Sequence, residues 1–579
     1  MSSPSPLRVW APDAERVEAV VGDERYPMRE ESRGWWATQN EFGPGTDYRF
    51  SLDAGEALPD PRSAWQPDGV DGPSRVVDFA AFAWTDRGWR PSPLADAVVY
   101  ELHVGTFSET GTFEGAIAHL DHLVALGVTH IELMPIGQFP GTRGWGYDGV
   151  DLFAPHAAYG GPDGLWRLVD ACHRRGLAVL LDVVHNHLGP AGNYLPRYGP
   201  YFTKRYGTPW GSAVNLDGPG SDEVRRFFID NALMWLRDYH FDGLRLDAVH
   251  AIFDMSAVHF LEQLAGEVGQ LAAELGRELV VIAESDLNDP RLIRPIEVGG
   301  YGLAAQWSDD FHHALHSVLA GERSGYYADF GSLADLATCL RRGYLHAGDY
   351  SPFRGRRHGR SAPDLDGRRL LGYLQNHDQI GNRAMGERSS ALMTRGRLLA
   401  GAAVVLTAPF VPLLFQGEEW AASAPFQYFT DHPDPELGAA VSEGRREEFS
   451  AFGWSPEQVP DPQDPATFER SRLRWAEVAE ADHAQMLDWH RRLIALRRAY
   501  PELRDGSLSA VEVAFDEQAA WLRYRRGRIE VLLNLGTAPA RMAVGAGRLL
   551  LASAESIRPA DGFVELPVDS VALIERRAG

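Results

Sequence analysis

Between about Ala95 and Phe415 the sequence alternates short apolar runs with longer segments of helical period, and this limits the fold more than any other feature. The apolar runs are Val98–Phe107, Thr129–Pro135, Leu177–Val184, Gly243–Val249, Leu279–Ala283, Leu303–Trp307, Leu370–Leu374 and Val411–Phe415. Helix-like stretches fall between them: Phe113–Leu126, with Thr112 as N-cap and Gly127 as stop, then Asp163–Arg175, Ser221–Tyr239 and Ser256–Leu275. Strands buried on both faces and separated by helices form a parallel sheet. Eight such runs, with nothing to mark a second doubly wound sheet, predict an α/β chain built on a (β/α)₈ TIM barrel. In that fold the active site lies at the C-terminal ends of the strands.

The barrel has neighbours on both sides. Residues 7 to 88 carry short alternating strands, such as Val17, Ala19, Val21 and Tyr48, Phe50, Leu52, with turn clusters between them. This predicts an N-terminal β-sandwich over residues 1–90, with Pro59–Pro73 as its linker. The catalytic barrel is expected over 91–500, closed by a helix around Met486–Arg498, and a small C-terminal β domain over 501–579. Three segments are too long to be simple connections: His185–Gly220, about Gly321 to Arg369, and Gly417–Phe468. In a barrel they would shape a cleft on the catalytic face.

Composition narrows the partners. A formal net charge of −24 argues against nucleic acid and anionic membranes. Only Cys172 and Cys339 are present, so neither a disulfide framework nor a Cys-x-x-Cys zinc site is expected. Met1–Leu7 shows no secretory pattern, and no run of about 18 apolar residues occurs. A cytoplasmic, monomeric enzyme without cofactor or metal is the expectation.

Polar residues gather just after the predicted strands. Asp182-Val-Val-His-Asn186-His187 follows the third, Arg245 and Asp247 the fourth, Glu284 the fifth, and Asn376-His377-Asp378 the seventh. Arg245 and Asp247 are two apart on a strand, so they project together, and the Arg is expected to hold the Asp ionised and oriented. Glu284 follows Val280-Val281-Ile282-Ala283, so burial is expected to keep it protonated. A carboxylate that attacks and a carboxylic acid that protonates are the two groups that glycoside cleavage needs.

Asp182–His187, Gly243–His250, Glu284 and His377-Asp378 resemble, in order and strand context, the four signature regions of the α-amylase family of glycoside hydrolases. The resemblance spans residues 95 to about 500. It implies Asp247 as nucleophile, Glu284 as general acid/base and Asp378 as transition-state stabiliser. It also implies Tyr147 as a stacking residue, His187, Arg245 and His377 around the cleaved sugar, and His250 on the leaving-group side. Asn186 matches a residue that binds calcium in many amylases, but the segment after His187 lacks a carboxylate-rich cage, so no metal is expected. The start Val9-Trp10-Ala11-Pro12-Asp13-Ala14 is similar to the sandwich that precedes the barrel in isoamylases and branching enzymes. The loops Asn186–Tyr194, Thr208–Gly211, Glu284–Pro290 and Gln306–His313 resemble those of the family's trehalose-releasing hydrolases. That resemblance implies maltooligosyltrehalose as substrate, cut at the α-1,4 bond beside its terminal trehalose; Trp210, Asp286, Trp307, Asp309 and Glu418 are expected as further contacts from their loop positions alone. A glycogen-branching transferase, an α-1,6 debranching hydrolase and a non-catalytic glucan-binding barrel stand as alternatives.

Overall fold

The computed structural model of the chain describes residues 4–577 except 451–454 and 456–457. The stretch Met1–Leu7, read for a secretory pattern, and the inserted segment Gly417–Phe468 therefore fall in part outside the described residues. Among the described residues no helix is long and apolar enough to cross a membrane.

Eight parallel strands close into a barrel in chain order: β1 Val99–Leu102, β2 His130–Leu133, β3 Ala178–Val183, β4 Gly243–Leu246, β5 Val280–Ala283, β6 Ala305–Trp307, β7 Leu370–Gly372 and β8 Val411–Phe415, with β8 pairing β1. The two-residue period of each strand sorts its side chains into two apolar layers. Val99, Leu180, Val280, Ile282, Leu371, Val411 and Leu413 fill the barrel interior. Val179, Leu181, Leu244, Leu246 and Val281 face outward into the main core shared with the helices.

The observed strands are shorter than the predicted runs. Val98–Phe107 ends as a strand at Leu102, and Val104–Phe107 turns into a short helix. Phe113–Leu126 divides into helices Phe113–Ile117 and Leu120–Leu126. Thr112 does cap the first, accepting from Gly115 N, and Gly127 ends the second at φ 102°, a conformation natural only to glycine.

Gly243 shows how little room the barrel leaves. A β-carbon there would lie 2.4 Å from Val280 Cγ2 and 2.5 Å from Val280 O. Backbone of a neighbouring barrel strand cannot move aside cheaply. Gly243→Ala is expected to destabilise the fold by about 1–3 kcal/mol. Denaturant unfolding checks this, and an unchanged midpoint would mean that β4 and β5 part without cost.

The N-terminal region is an antiparallel sheet of seven strands. Two of them, Glu24–Glu30 and Trp35–Phe42, escaped the sequence reading. Glu24–Glu30 fully buries only Met28 and carries Pro27, so its apolar alternation, Tyr26 and Met28, is too short to mark a strand. Pro59–Pro73 is not a free tether. Asp60, Ser63 and Gln66 are buried, and Tyr198 OH donates to Pro59 O at 2.7 Å. Trp35 Nε1 donates to Glu223 and Arg62 to Asp230, so the sheet is fastened to helix Ser221–Asp238. At the other end, helix Ala481–Ala499 packs on the barrel through Arg497, which donates to Leu406, Ala408 and Phe410 carbonyls. The C-terminal strands form sheets of five and three, docked on helix Arg395–Thr407 by Tyr524 and Arg526.

Candidate active site

The same alternation that fills the barrel with aliphatic side chains places polar ones at its C-terminal rim. Val99, Leu180, Gly243 and Ile282 are followed two residues later by Glu101, Asp182, Arg245 and Glu284, all on the inner face. Asp182 and Arg245 are register partners on β3 and β4. Arg245 Nη1 donates to both Asp182 oxygens at 2.9 and 2.8 Å and to Asp247 Oδ1 at 3.0 Å. Its Nη2 lies 3.8 Å from Glu284 Oε2. One buried guanidinium thus serves three carboxyl groups.

Asp247 is fixed from its other side. Asn186 Nδ2 donates to Asp247 Oδ2 at 2.8 Å and to its carbonyl at 2.7 Å. Asn186 Oδ1 in turn meets His187 Nδ1. Beyond Asp247 the chain turns through Ala248 at φ 39°, ψ 53°, a left-handed conformation costing about 1–2 kcal/mol for a residue with a β-carbon. The turn aims Ala248 N–H at Glu284 Oε2, 2.5 Å away.

Burial lifts Glu284 well above the ordinary carboxylate range; Arg245 opposes this, while Asp247, Asp309 and Asp378 add to it. With Oε2 accepting from Ala248, the proton belongs on Oε1. Asp378 is also raised, first by the mass of protein around it and against the pull of His377 and Arg245. Asp378 is open to solvent along the cleft even so, which makes its shift the weaker of the two. Asp182 is pushed up to about 6 by burial, with Arg245 working the other way.

Tyr147 OH donates to Asp182 at 2.5 Å and meets His377 Nε2 at 2.8 Å, and its ring stacks on His377. His377 is held by Glu101, which accepts from its backbone N–H at 3.0 Å and pairs with Nδ1. Burial disfavours the charged imidazole, but Glu101 outweighs it and the pKa of His377 rises. The Trp210 ring, half exposed, stacks on His187 with centroids 4.5 Å apart. His250 is exposed beside Asp286, whose carboxyl takes Arg354 Nη2 at 3.0 Å. Burial works against the charge of Asp286, yet Arg354 and His250 leave its pKa below the usual value. Asp309 accepts from Tyr373 OH at 2.5 Å and is raised to about 7 by burial.

Two residues expected as contacts are placed elsewhere. Trp307 is 1 % exposed, an inward residue of β6 rather than part of the loop that follows. Its ring lies under Arg245, 4.3 Å from the guanidinium carbon, and forms the floor of the site. Glu418 folds back from the end of β8, accepts Phe415 N–H at 3.2 Å and lines a small internal cavity with Gln375, Arg388 and His490. Burial lifts it to about 8. Conversely, Glu101 and Arg354 belong to the constellation without any motif to mark them, while Asp182 and Asn186, from the motif after β3, join it by binding Arg245 and Asp247. Glu101 could have been found, as a lone carboxyl in phase with Val99. Arg354 sits in an insertion without any pattern.

Comparison with known proteins bears on the family and the fold. The profile of the alpha amylase catalytic domain matches residues 91–199, and a domain of unknown function matches 506–573. A malto-oligosyltrehalose trehalohydrolase from Rhizobium sp. (strain M-11) is 51% identical, over 98% of this chain and 97% of its own. One from Mycobacterium tuberculosis (strain H37Rv) is also 51% identical, over 98% of both chains. The crystal structure of a proposed alpha amylase from Salmonella typhimurium superposes with a TM-score of 0.91 at 37% identity, covering 99% of this chain and 97% of that one. The chain belongs to the malto-oligosyltrehalose trehalohydrolase family, built on the catalytic barrel of the α-amylase family.

Proposed function

We propose that the chain hydrolyses the α-1,4 bond beside the terminal trehalose of maltooligosyltrehalose, with retention, releasing trehalose and a shorter maltooligosaccharide. The observation that carries the chemistry is the placing of Asp247 and Glu284 around one guanidinium, with burial driving Glu284 toward its protonated form. Sharing Arg245 suits the close carboxyl spacing of a retaining pair, about 5–5.5 Å.

In this reading the Asp247 carboxylate attacks the anomeric carbon of the glucosyl unit on the chain side. The C1–O bond breaks as Glu284 gives its proton to O4 of the leaving trehalose. Glu284, now a carboxylate, takes a proton from water, whose oxygen displaces Asp247 and restores both groups. Tyr147 supplies the stacking face, His187 and His377 donate to sugar hydroxyls, and Asp378 holds hydroxyls of the distorted ring. His250, Asp286 and Arg354 stand where a leaving group would meet polar partners. We further place the enzyme in the cytoplasm as a monomer, a reading consistent with two free, buried cysteines.

The test is a comparison of kcat/KM for maltotriosyltrehalose and maltopentaose. A plain maltose unit in a polar pocket shaped for trehalose leaves groups unpaired at about 1–3 kcal/mol each. Two such losses give a preference on the order of 10²-fold, with free trehalose in the first turnover. His250→Ala should narrow this gap. Trp307→Ala, by undermining Arg245, should slow both substrates alike. Equal rates for the two parent reactions would make the protein an ordinary amylase-like hydrolase. Amylose remodelled without new reducing ends would make it a branching transferase.

A further inference from the structure

Asp247 and Glu284 directly follow β4 and β5, whereas Asp378 stands apart from the end of β7 at Gly372. It lies at the start of the short helix His377–Gly381, whose N-cap Asn376 accepts from Asp378 and Gln379 N–H. Its Oδ1 accepts the side-chain amide of Asn382 at 2.5 Å. Asn382 Oδ1 accepts from Arg445 Nη1 at 3.2 Å. Arg445 belongs to helix Pro435–Ser450, in the segment inserted after β8, and its Nη2 also donates to Gly381 O.

This chain of contacts has a direction. An amide has an acceptor end and a donor end, and the acceptor-only carboxylate of Asp378 takes the donor end of Asn382. Arginine has donors only. With Arg445 on one side, the oxygen must face the guanidinium and the NH₂ must face Asp378. Without it the Asn382 oxygen loses its protein donor, and the exposed side chain is free to leave Asp378 for other rotamers. Arg445 is itself held firmly. Its side chain is 11% exposed, and the guanidinium lies 5.1 Å from the Tyr428 ring and 4.6 Å from the Phe449 ring. Tyr428 packs edge-on to Trp145, two residues before Tyr147.

We propose that Arg445 and Asn382 are positioning residues that orient the Asp378 carboxylate, so that the insertion after β8 helps to assemble the reactive centre as well as to wall the cleft. The inference rests on the reading of Asp378 as transition-state stabiliser. Losing one hydrogen bond to a carboxylate that acts on the transition state should lower kcat by roughly 10- to 100-fold with KM little changed.

The experiment is a double-mutant cycle on the full chain, Asn382→Ala with Arg445→Met, assayed for trehalose release, with Arg445→Lys and Asp378→Asn beside it. Asn382 is solvent-exposed, so its alanine variant should fold. The expected result is a kcat loss for each single variant, a double variant no worse than Asn382→Ala, and recovery of most activity in Arg445→Lys. Additive losses, or a raised KM with kcat kept, would overturn the proposal and make these residues independent packing or substrate contacts. If Asp378→Asn keeps near-parent activity, the assignment of Asp378 fails instead, whatever the cycle shows.

Discussion

Asp247→Asn is expected to lower kcat by at least about 10³-fold, because an amide cannot form the glycosyl ester through which the reaction passes. The surroundings of Asp247 make the substitution harsher than its shape suggests. Both carboxyl oxygens face donors, Arg245 Nη1 at 3.0 Å and Asn186 Nδ2 at 2.8 Å. An NH₂ at either position meets a donor head-on. Asn186 cannot flip to help, since its Oδ1 is engaged by His187. Arg245 would then turn its charge wholly to Asp182. The checks are single-turnover kinetics and mass spectrometry with an activated fluoroglycoside, which should label the parent and leave the variant unlabelled. Activity within tenfold of the parent would remove Asp247 from the nucleophile's place.

How much of this was legible beforehand depends on whether a residue's role is written in local period. The barrel was, since each strand must be apolar on both faces, and Val411–Phe415 matches its predicted run residue for residue. Asp182, Arg245 and Glu284 follow the same logic, as the next inward positions after apolar ones. Trp307 shows its limit. It was read as a loop contact, but the inward phase of β6 still includes it, and the loop begins at Ser308. Phase counted forward from Ala305 puts it on the floor.

Contacts made by insertions were not legible at all. Arg354 reaches Asp286 from the hairpin of Tyr350–Ser351 and Arg356–Arg357, and Arg445 reaches Asn382 from 63 residues away in sequence. No periodicity links such partners; only the closed barrel brings its loops to one face. Glu418 fails for the opposite reason. It follows a barrel strand, as functional carboxylates here do, but Gly417 at φ 81° reverses the chain and folds the side chain inward to the Phe415 amide.

Glu284→Gln provides the second large effect, and its size should depend on the leaving group. Proton transfer by a placed acid contributes about 10²–10⁴-fold, and that is the loss expected for maltooligosyltrehalose, whose departing sugar alkoxide needs the proton. A nitrophenyl maltooligoside needs none, so its first step should be nearly unaffected, and the covalent intermediate should accumulate because no base activates water. The pH profile supplies the sign. The parent requires protonated Glu284, and burial raises its pKa above the ordinary carboxylate value. Activity should therefore persist above the usual carboxylate range and fall as pH rises through that raised pKa. Glutamine does not titrate, so the alkaline limb should vanish in the variant while the acid limb stays. The glutamine oxygen can still accept from Ala248 N–H at the site of Oε2, so the left-handed turn after Asp247 should survive and the comparison should report chemistry rather than collapse. Equal losses on natural and activated substrates, or an unchanged alkaline limb, would place the acid elsewhere. Asp309, raised to about 7 by burial and close enough for its charge to help raise Glu284, would then be the next residue to test.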